Sequence, residues 1–437
     1  MKAAAGRGHG LGADMTLRNL RISLAAVLLL LAVPGARYAD AAAGDGGWIT
    51  SWAATPAPRW TPDQVPSAYG VPETLEGVTI RQVARLSLGG SRIRVVFSNE
   101  YGTTPLAIGA GSVALAGRDG ALGGPAARLT WGGRSSVVVP PGAPILSDPV
   151  DLQAAPLSSL AVSLYLPEKS AITSVHWDGA ETAFISGPGD FAQAPAFAAA
   201  ITMPKRLFLS GIQVEAGPAA RAIVFLGDSI TDGACSTLNA NARWPDHIAE
   251  RLVQAGHRDI AVVNEAFSGD RVLMNGMGVN ALARLNADVL SQPRLSTVVL
   301  MMGINDIGWP GPKAITPNDK EPTADDIIMG YQQIIDRVHA KGARILGATL
   351  TPFADTNQGS PTEGYYTPEK EKIRLAVNQW IRTSGRFDGV IDFDKLMEDK
   401  ARPGHMQSAY DCGDHLHPND AGYAAMGEAV DLDLLLR

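Results

Sequence analysis

From Ala222 onward the chain keeps returning to one alternation. A short apolar run is followed by a loop, and the loop by a longer stretch with apolar residues three and four apart. The short runs are Ala222 to Leu226, Ile260 to Asn264, Thr297 to Met302, Arg344 to Leu350 and Gly389 to Phe393. Helical stretches fall between them. Trp244 to Ala255 stops at Gly256, Thr323 to Ala340 opens with Thr323 three before Asp326, and Pro368 to Thr383 carries Thr367 as cap and Pro368 in its first turn. A last helix is expected from Asp420 toward Leu435. Apolar strands separated by helices require an open, five-stranded parallel sheet covered on both faces, an α/β architecture. Ligands of such sheets bind at the carboxyl ends of the strands, where "GDSITDG" (227–233), "NEAFSGDRV" and "MMGINDIG" leave the first three runs.

The preceding half has a different rhythm. "SRIRVVFSN" sends Ile93, Val95 and Phe97 to one side and Arg92, Arg94 and Val96 to the other, the period of a half-buried strand. "SSVVVPPGAPILSDPVDL" and "LSSLAVSLYLP" continue it between Gly-Gly, Pro-Pro and Pro-Gly turns, and no amphipathic helix stands out before Pro218. This predicts an all-β, jelly-roll-like antiparallel sandwich over 44–215, ahead of an α/β domain over 216–437. At 437 residues, 46% hydrophobic and 19% charged, the chain is long enough for two cores.

Residues 1–43 read as a signal peptide. Arg18 and Arg21 precede "SLAAVLLLLAV" (23–33), which is too short to span a bilayer stably, and Pro34, Gly35 and "ADAAAG" follow. Cleavage after Ala41 or Ala43 fits the small-x-small rule, Met15 offers an alternative start, and a retained N-terminal anchor is the rival reading. The expected location is outside the cell or in a periplasm, with no stable membrane anchor after cleavage. With 37 basic against 44 acidic side chains the formal net charge is −7, which argues against a nucleic acid or an anionic membrane surface as partner. The two cysteines, Cys235 and Cys412, can pair in an oxidising compartment or remain buried thiols.

A serine hydroxyl becomes a nucleophile when a base takes its proton and a third group orients that base. Ser229 stands in the first strand-end loop. Of the eight histidines, His9, His176, His247, His257, His339 and His405 lack a marked carboxylate-and-turn setting and read as surface or packing residues. In "DCGDHLHPNDAGY", Asp414 precedes His417 by three, a spacing that shares one side of a helical turn, with His415 as rival base. Asp411, Asp414, His415 and His417 are also zinc-type ligands, but no second cluster completes a familiar metal spacing, so neither metal nor cofactor is expected. Trp244, Trp48 and Trp52 read as core anchors before they read as pocket walls.

Four blocks in order now resemble the GDSL, or SGNH, hydrolases: "GDSITDG" (227–233), "SGDRVL" (268–273), "GIND" (303–306) and "DHLHP" (414–418). The likeness covers 222–437, and the β-rich half is more loosely similar to the domain that precedes the catalytic one in some secreted members. The resemblance implies Ser229 as nucleophile, His417 as general base and then acid, and Asp414 as the carboxylate that orients it. It implies an oxyanion hole from the backbone N–H groups of Ser229 and Gly269 and the side-chain amide of Asn305, with Asp228 and Asp306 fixing loops. An α/β-hydrolase elbow, Gly-x-Ser-x-Gly, is absent, since Thr231 stands two after Ser229. If the triad assembles, the loops bearing Cys235 and Cys412 approach one another, and a bridge between them is expected.

The expected activity is that of a serine esterase removing a small acyl group from an oxygen through an acyl-enzyme. Deacetylation of polysaccharide suits a two-domain exported member, while lipases, lysophospholipases and thioesterases use the same triad. A non-catalytic glycan-binding protein is the alternative from another class.

Overall fold

The computed structural model describes residues 47–60 and 70–437; the segment expected to be a signal peptide lies outside them. Residues Gly44–Arg437 belong to one compact unit. Among the described residues no helix is long and apolar enough to cross a membrane.

The β-rich half holds two large antiparallel sheets. In one, Gly47–Ala53 pairs with Leu209–Ala216, which pairs with Gly90–Ser98, and that strand also pairs with Pro144–Leu146 and Val150–Ala154. The other runs in the order Ala199–Met203, Ala183–Pro188, Val78–Arg85, Ser159–Leu166, Ala110–Leu115, Ala127–Arg128. The alternation read in the sequence is kept: Ile93, Val95 and Phe97 are wholly buried, while Arg92 and Arg94 turn outward, the latter onto Trp48 with its guanidinium carbon 3.9 Å from the ring centroid. Short strands Ala57–Pro58, Ser174–His176 and Arg206–Leu207 form a smaller sheet.

The C-terminal half is a parallel sheet of β1 (Arg221–Gly227), β2 (Ile260–Asn264), β3 (Leu295–Met301), β4 (Arg344–Ala348) and β5 (Gly389–Ile391), in the order β2-β1-β3-β4-β5. Ala222 to Leu226 are each 1% exposed or less, as a central strand covered on both faces requires. The chain leaves β1 toward β2 on one side and returns to β3 on the other, so the crevice above β1 is a topological switch point.

The helices are α1 (Ser229–Asp232), α2 (Trp244–Gln254), α3 (Ala281–Leu285), α4 (Ile304–Gly308), α5 (Ala324–His339), α6 (Pro368–Thr383), α7 (Phe393–Met397), α8 (Asp420–Ala429) and α9 (Leu432–Leu436). Thr323 and Asp326 cap α5 reciprocally, each side chain accepting from the other's backbone N–H at 3.2 and 2.9 Å. Such a cap contributes about 1 kcal/mol. The single helix expected from Asp420 is two. Val430 is extended, Arg251 Nη1 draws off the Gly427 and Val430 carbonyls, and Asp431 caps a new helix at Asp433 N. Trp244 is wholly buried, edge-on to Phe225 and Phe393.

Candidate active site

The turn after β1 is built from its own small and polar residues. Asp228 Oδ1 accepts from Ile230 N at 3.1 Å, which starts α1 at Ser229. A Cβ on Gly227 would collide with Thr231 Oγ1, so glycine is what lets the strand turn so sharply into α1. Ser229 is 6% exposed, with its hydroxyl at the lip of the switch-point crevice.

The residues that meet it come from the far end of the chain. Ser229 Oγ lies 2.8 Å from His417 Nε2, and His417 Nδ1 lies 2.6 Å from Asp414 Oδ2. The 414–417 segment is not the helical turn expected from the spacing. It is a bend in which Asp414 Oδ1 accepts from Leu416 N and His417 N at 2.9 and 2.8 Å, the local bonding that makes Asp favour turns over helices. The rival His415 has a positive φ of 63° and faces away, its Nδ1 2.6 Å from Asp411 Oδ2. Cys235 and Cys412 are joined, with Cα atoms 6.4 Å apart, so a covalent link ties the segment after α1 to the loop before Asp414. Tyr423 reinforces it, donating from its hydroxyl to the Ala234 carbonyl at 2.6 Å.

Burial pulls the His417 imidazolium down. The hydrogen bond and charge of Asp414 outweigh it, with Asp178 and Asp228 adding to them, and hold His417 above the usual histidine value. Asp414 is pushed up by burial but is held at about 2 by the hydrogen bond and charge of His417 and by the two backbone donors. This is a base paired with an ionised carboxylate. Asp228, sealed from water, is pushed up to about 7, with the Ile230 bond and His417 acting against that push.

Two further loops close the crevice. Gly269, after β2, has φ +73°, and a Cβ there would collide with Met277 Sδ. Asn305, on α4 after β3, is 3% exposed. Its Oδ1 accepts from Trp309 Nε1 and Tyr365 Oη, both at 2.9 Å, and its Nδ2 donates to the Asp270 carbonyl at 3.0 Å. Trp309 can only donate, so the amide orientation is fixed and one Nδ2 hydrogen is left over. Among the described residues neither Ser229 N nor Gly269 N donates to a protein acceptor. Asp306 Oδ2 and Oδ1 accept from Val272 N and Leu273 N at 2.8 and 2.9 Å, locking the β2 loop against α4, and burial pushes this carboxyl up to about 6 against those bonds.

The arrangement brings Ser229, His417 and Asp414 into one hydrogen-bonded line, with Gly269 and Asn305 on the loops beside it. Metal-ligand types converge among the described residues only at Cys235, Asp414 and His417, and that cysteine is in the disulfide. Several histidines set aside in the sequence have carboxylate partners after all: His176 with Asp232 at 3.0 Å, His339 with Asp388 at 2.9 Å and His405 with Asp355 at 3.0 Å. Only the first touches the loops of the site. Tyr365 and Trp309, which orient Asn305, were also missed. Trp309 follows Asn305 by one helical turn, a signal the sequence did hold; Tyr365 is 60 positions away and gave none.

Residues 225–425 match the model of the GDSL-like lipase/acylhydrolase family. Among solved structures the chain is similar to an acetyl xylan esterase, at 19% identity over 48% of this chain and 96% of that one, with a TM-score of 0.36. It is also similar to Est24, a carbohydrate acetylesterase from Sinorhizobium meliloti (18%, 49% and 99%, 0.38), and to TesA (22%, 49% and 98%, 0.35). No curated protein matches the chain.

Proposed function

Since residues 225–425 form a GDSL-like lipase/acylhydrolase domain, and the chain is accordingly a hydrolase of ester bonds, we propose that it removes short acyl groups, acetyl foremost, from oxygen esters through an acyl-enzyme on Ser229. The observation that carries this reading is the continuous line from Ser229 Oγ through His417 to Asp414 beside an amide with an unspent hydrogen.

In this reading His417 Nε2 takes the Ser229 proton as Oγ attacks the ester carbonyl carbon. The imidazolium so formed is held by Asp414. The carbonyl π electrons move onto oxygen, and the Ser229 N–H, the Gly269 N–H and the free Asn305 Nδ2 hydrogen receive that charge. Collapse expels the alcohol oxygen, which takes the proton from His417. Water then repeats the sequence: His417 removes its proton, its oxygen attacks the acyl carbon, and Ser229 Oγ leaves with the proton returned, releasing the acid.

Preference for a short acyl chain rests on space. Ser229 is almost covered, and Met277 stands against Gly269. Export by the leader pattern of residues 1–43, with an acetylated carbohydrate as the alcohol side, completes the proposal.

Hydrolysis of p-nitrophenyl esters from acetate to decanoate, by the parent and by Ser229→Ala, tests it. The expected result is kcat/KM falling with chain length and lost in the variant. Highest turnover on decanoate would point to a lipase, equal hydrolysis by both proteins would remove the serine mechanism, and no hydrolysis above background by the parent would favour a binding role. Acetate release from acetylated xylan, pectin and chitin oligomers tests the carbohydrate.

A further inference from the structure

The β-rich half does more than precede the catalytic sheet. Three of its side chains reach residues 268–277 and the end of α1. Trp60 donates from Nε1 to the Met277 carbonyl, Asp178 accepts from Ser268 Oγ, and His176 meets Asp232. The His176 contact is part of a longer chain of bonds. His176, 4% exposed, places Nδ1 3.0 Å from the Thr55 carbonyl oxygen and Nε2 3.0 Å from Asp232 Oδ1, while Asp232 Oδ2 accepts from Ser268 N at 3.2 Å.

The positions of those partners give the chain its meaning. Asp232 is the last residue of α1, whose first is Ser229, and Ser268 immediately precedes Gly269. One carboxylate, 1% exposed, therefore ties the nucleophile's turn to the loop that presents the Gly269 N–H. The imidazole holds that carboxylate from behind and is itself anchored on the β-rich half through Thr55. Each ring nitrogen faces an oxygen, one on the β-rich half and one on α1, so the ring is held at both ends. The guanidinium of Arg206, whose residue pairs with His176 across the small sheet, adds positive charge near Asp232.

A buried contact between an imidazole and a carboxylate is by itself weak evidence for stability, because desolvation offsets much of its attraction. A histidine kept there for packing would leave the reaction indifferent to its hydrogen bonds. This one acts at the point where two catalytic loops meet, and a misplacement of about 1 Å between such groups costs on the order of a hundredfold in rate.

We propose that His176 is a positioning residue for the ester-cleaving site: supplied by the β-rich half, it fixes Asp232 so that Ser229 and the Gly269 N–H keep the spacing an oxyanion requires. This rests on the proposed function, since it presumes that Ser229 attacks. Loss of the strut misaligns donors that act in the transition state, so it lowers kcat and leaves KM nearly unchanged.

The test uses the full chain and p-nitrophenyl acetate, with His176→Phe, which keeps an aromatic ring and removes both ring nitrogens, His176→Gln, which keeps an amide able to donate toward Asp232, and Ser229→Ala. Melting temperatures establish that each is folded. The expected result is a kcat about tenfold or more lower in His176→Phe with KM changed by less than about threefold, and partial recovery in His176→Gln. A folded His176→Phe with parental kcat, or one that loses rate only through KM, overturns the proposal. If His176→Phe does not fold, His176→Gln decides: lowered kcat at parental KM supports the strut, and parental kcat overturns it. An active Ser229→Ala sinks the esterase reading itself, whereas an inactive Ser229→Ala beside a fully active His176→Phe sinks only the strut.

Discussion

Asn305 Nδ2 stands 3.0 Å from the Asp270 carbonyl oxygen, which joins α4 to the loop carrying Gly269. With Oδ1 occupied by Trp309 and Tyr365, the amide cannot rotate, and its remaining hydrogen has one fixed direction. In the proposed mechanism Asn305→Ala removes a donor that acts on charge developing in the transition state, at a cost of about 3 to 4 kcal/mol. The expected outcome is a fall in kcat of roughly a hundredfold to a thousandfold at nearly constant KM. A variant that loses only affinity would show that the amide holds the ground state instead.

The pH dependence follows from the two shifted partners. The proposed mechanism needs neutral His417, and Asp414 holds the imidazolium above the usual value despite burial. The sign is therefore a loss of kcat/KM on acidification, with a midpoint above the ordinary histidine range near 6.5. Asp414→Asn removes the leading raising influence, so burial prevails and the midpoint moves down while the maximal rate falls. A pH–rate profile for both proteins checks the direction; an upward shift in the variant would contradict the pairing.

Stability has its own linkage to the same pair. Asp414 is held at about 2 in the folded chain, below an ordinary carboxylate, so its stabilising contribution is present above pH 3.8 and is lost as pH falls toward 2. The raised His417 contributes in the opposite sense, fully below its unfolded value and lost as pH rises through its folded one. Acid denaturation of the parent against Asp414→Asn should show the parent's extra stability at pH 5 shrinking by pH 2.

The Cys235–Cys412 link closes a loop spanning 177 positions and fastens the segment after Ser229 to the loop that carries Asp414 and His417. Removing it by paired serine substitution is expected to lower unfolding free energy by about 2 to 5 kcal/mol in urea titrations. Turnover should fall as well, because Asp414 lies two residues past Cys412. Unchanged stability and rate after full reduction would show the bridge to be idle.

The parallel sheet could be read from the sequence because each buried strand is a short apolar run bounded by capped helices. Ile260–Asn264 and Pro368–Thr383 fall where periodicity and caps set them. Ser229, Gly269 and Asn305 were legible as motif blocks at strand ends, and the Asp414–His417 pair as a block ahead of the last helical stretch. The bend at 414–417 was misread because a spacing of three also suits a helical turn, and only the backbone bonds of Asp414 Oδ1 decide between them. His176 was passed over because its partner, Asp232, is 56 positions away at the end of α1, where no periodicity connects them. Short helices such as α4 and α7 were missed because five residues hold too little of a 3.6-residue repeat to register.

The most direct check on the whole account is to quench a reaction with p-nitrophenyl acetate in acid within the first turnover, digest the protein and weigh its peptides. An acetyl group on the peptide containing Ser229, absent from Ser229→Ala, is the predicted result. An unmodified Ser229 in an enzyme that is turning over substrate, or acetyl carried by another residue, would contradict it.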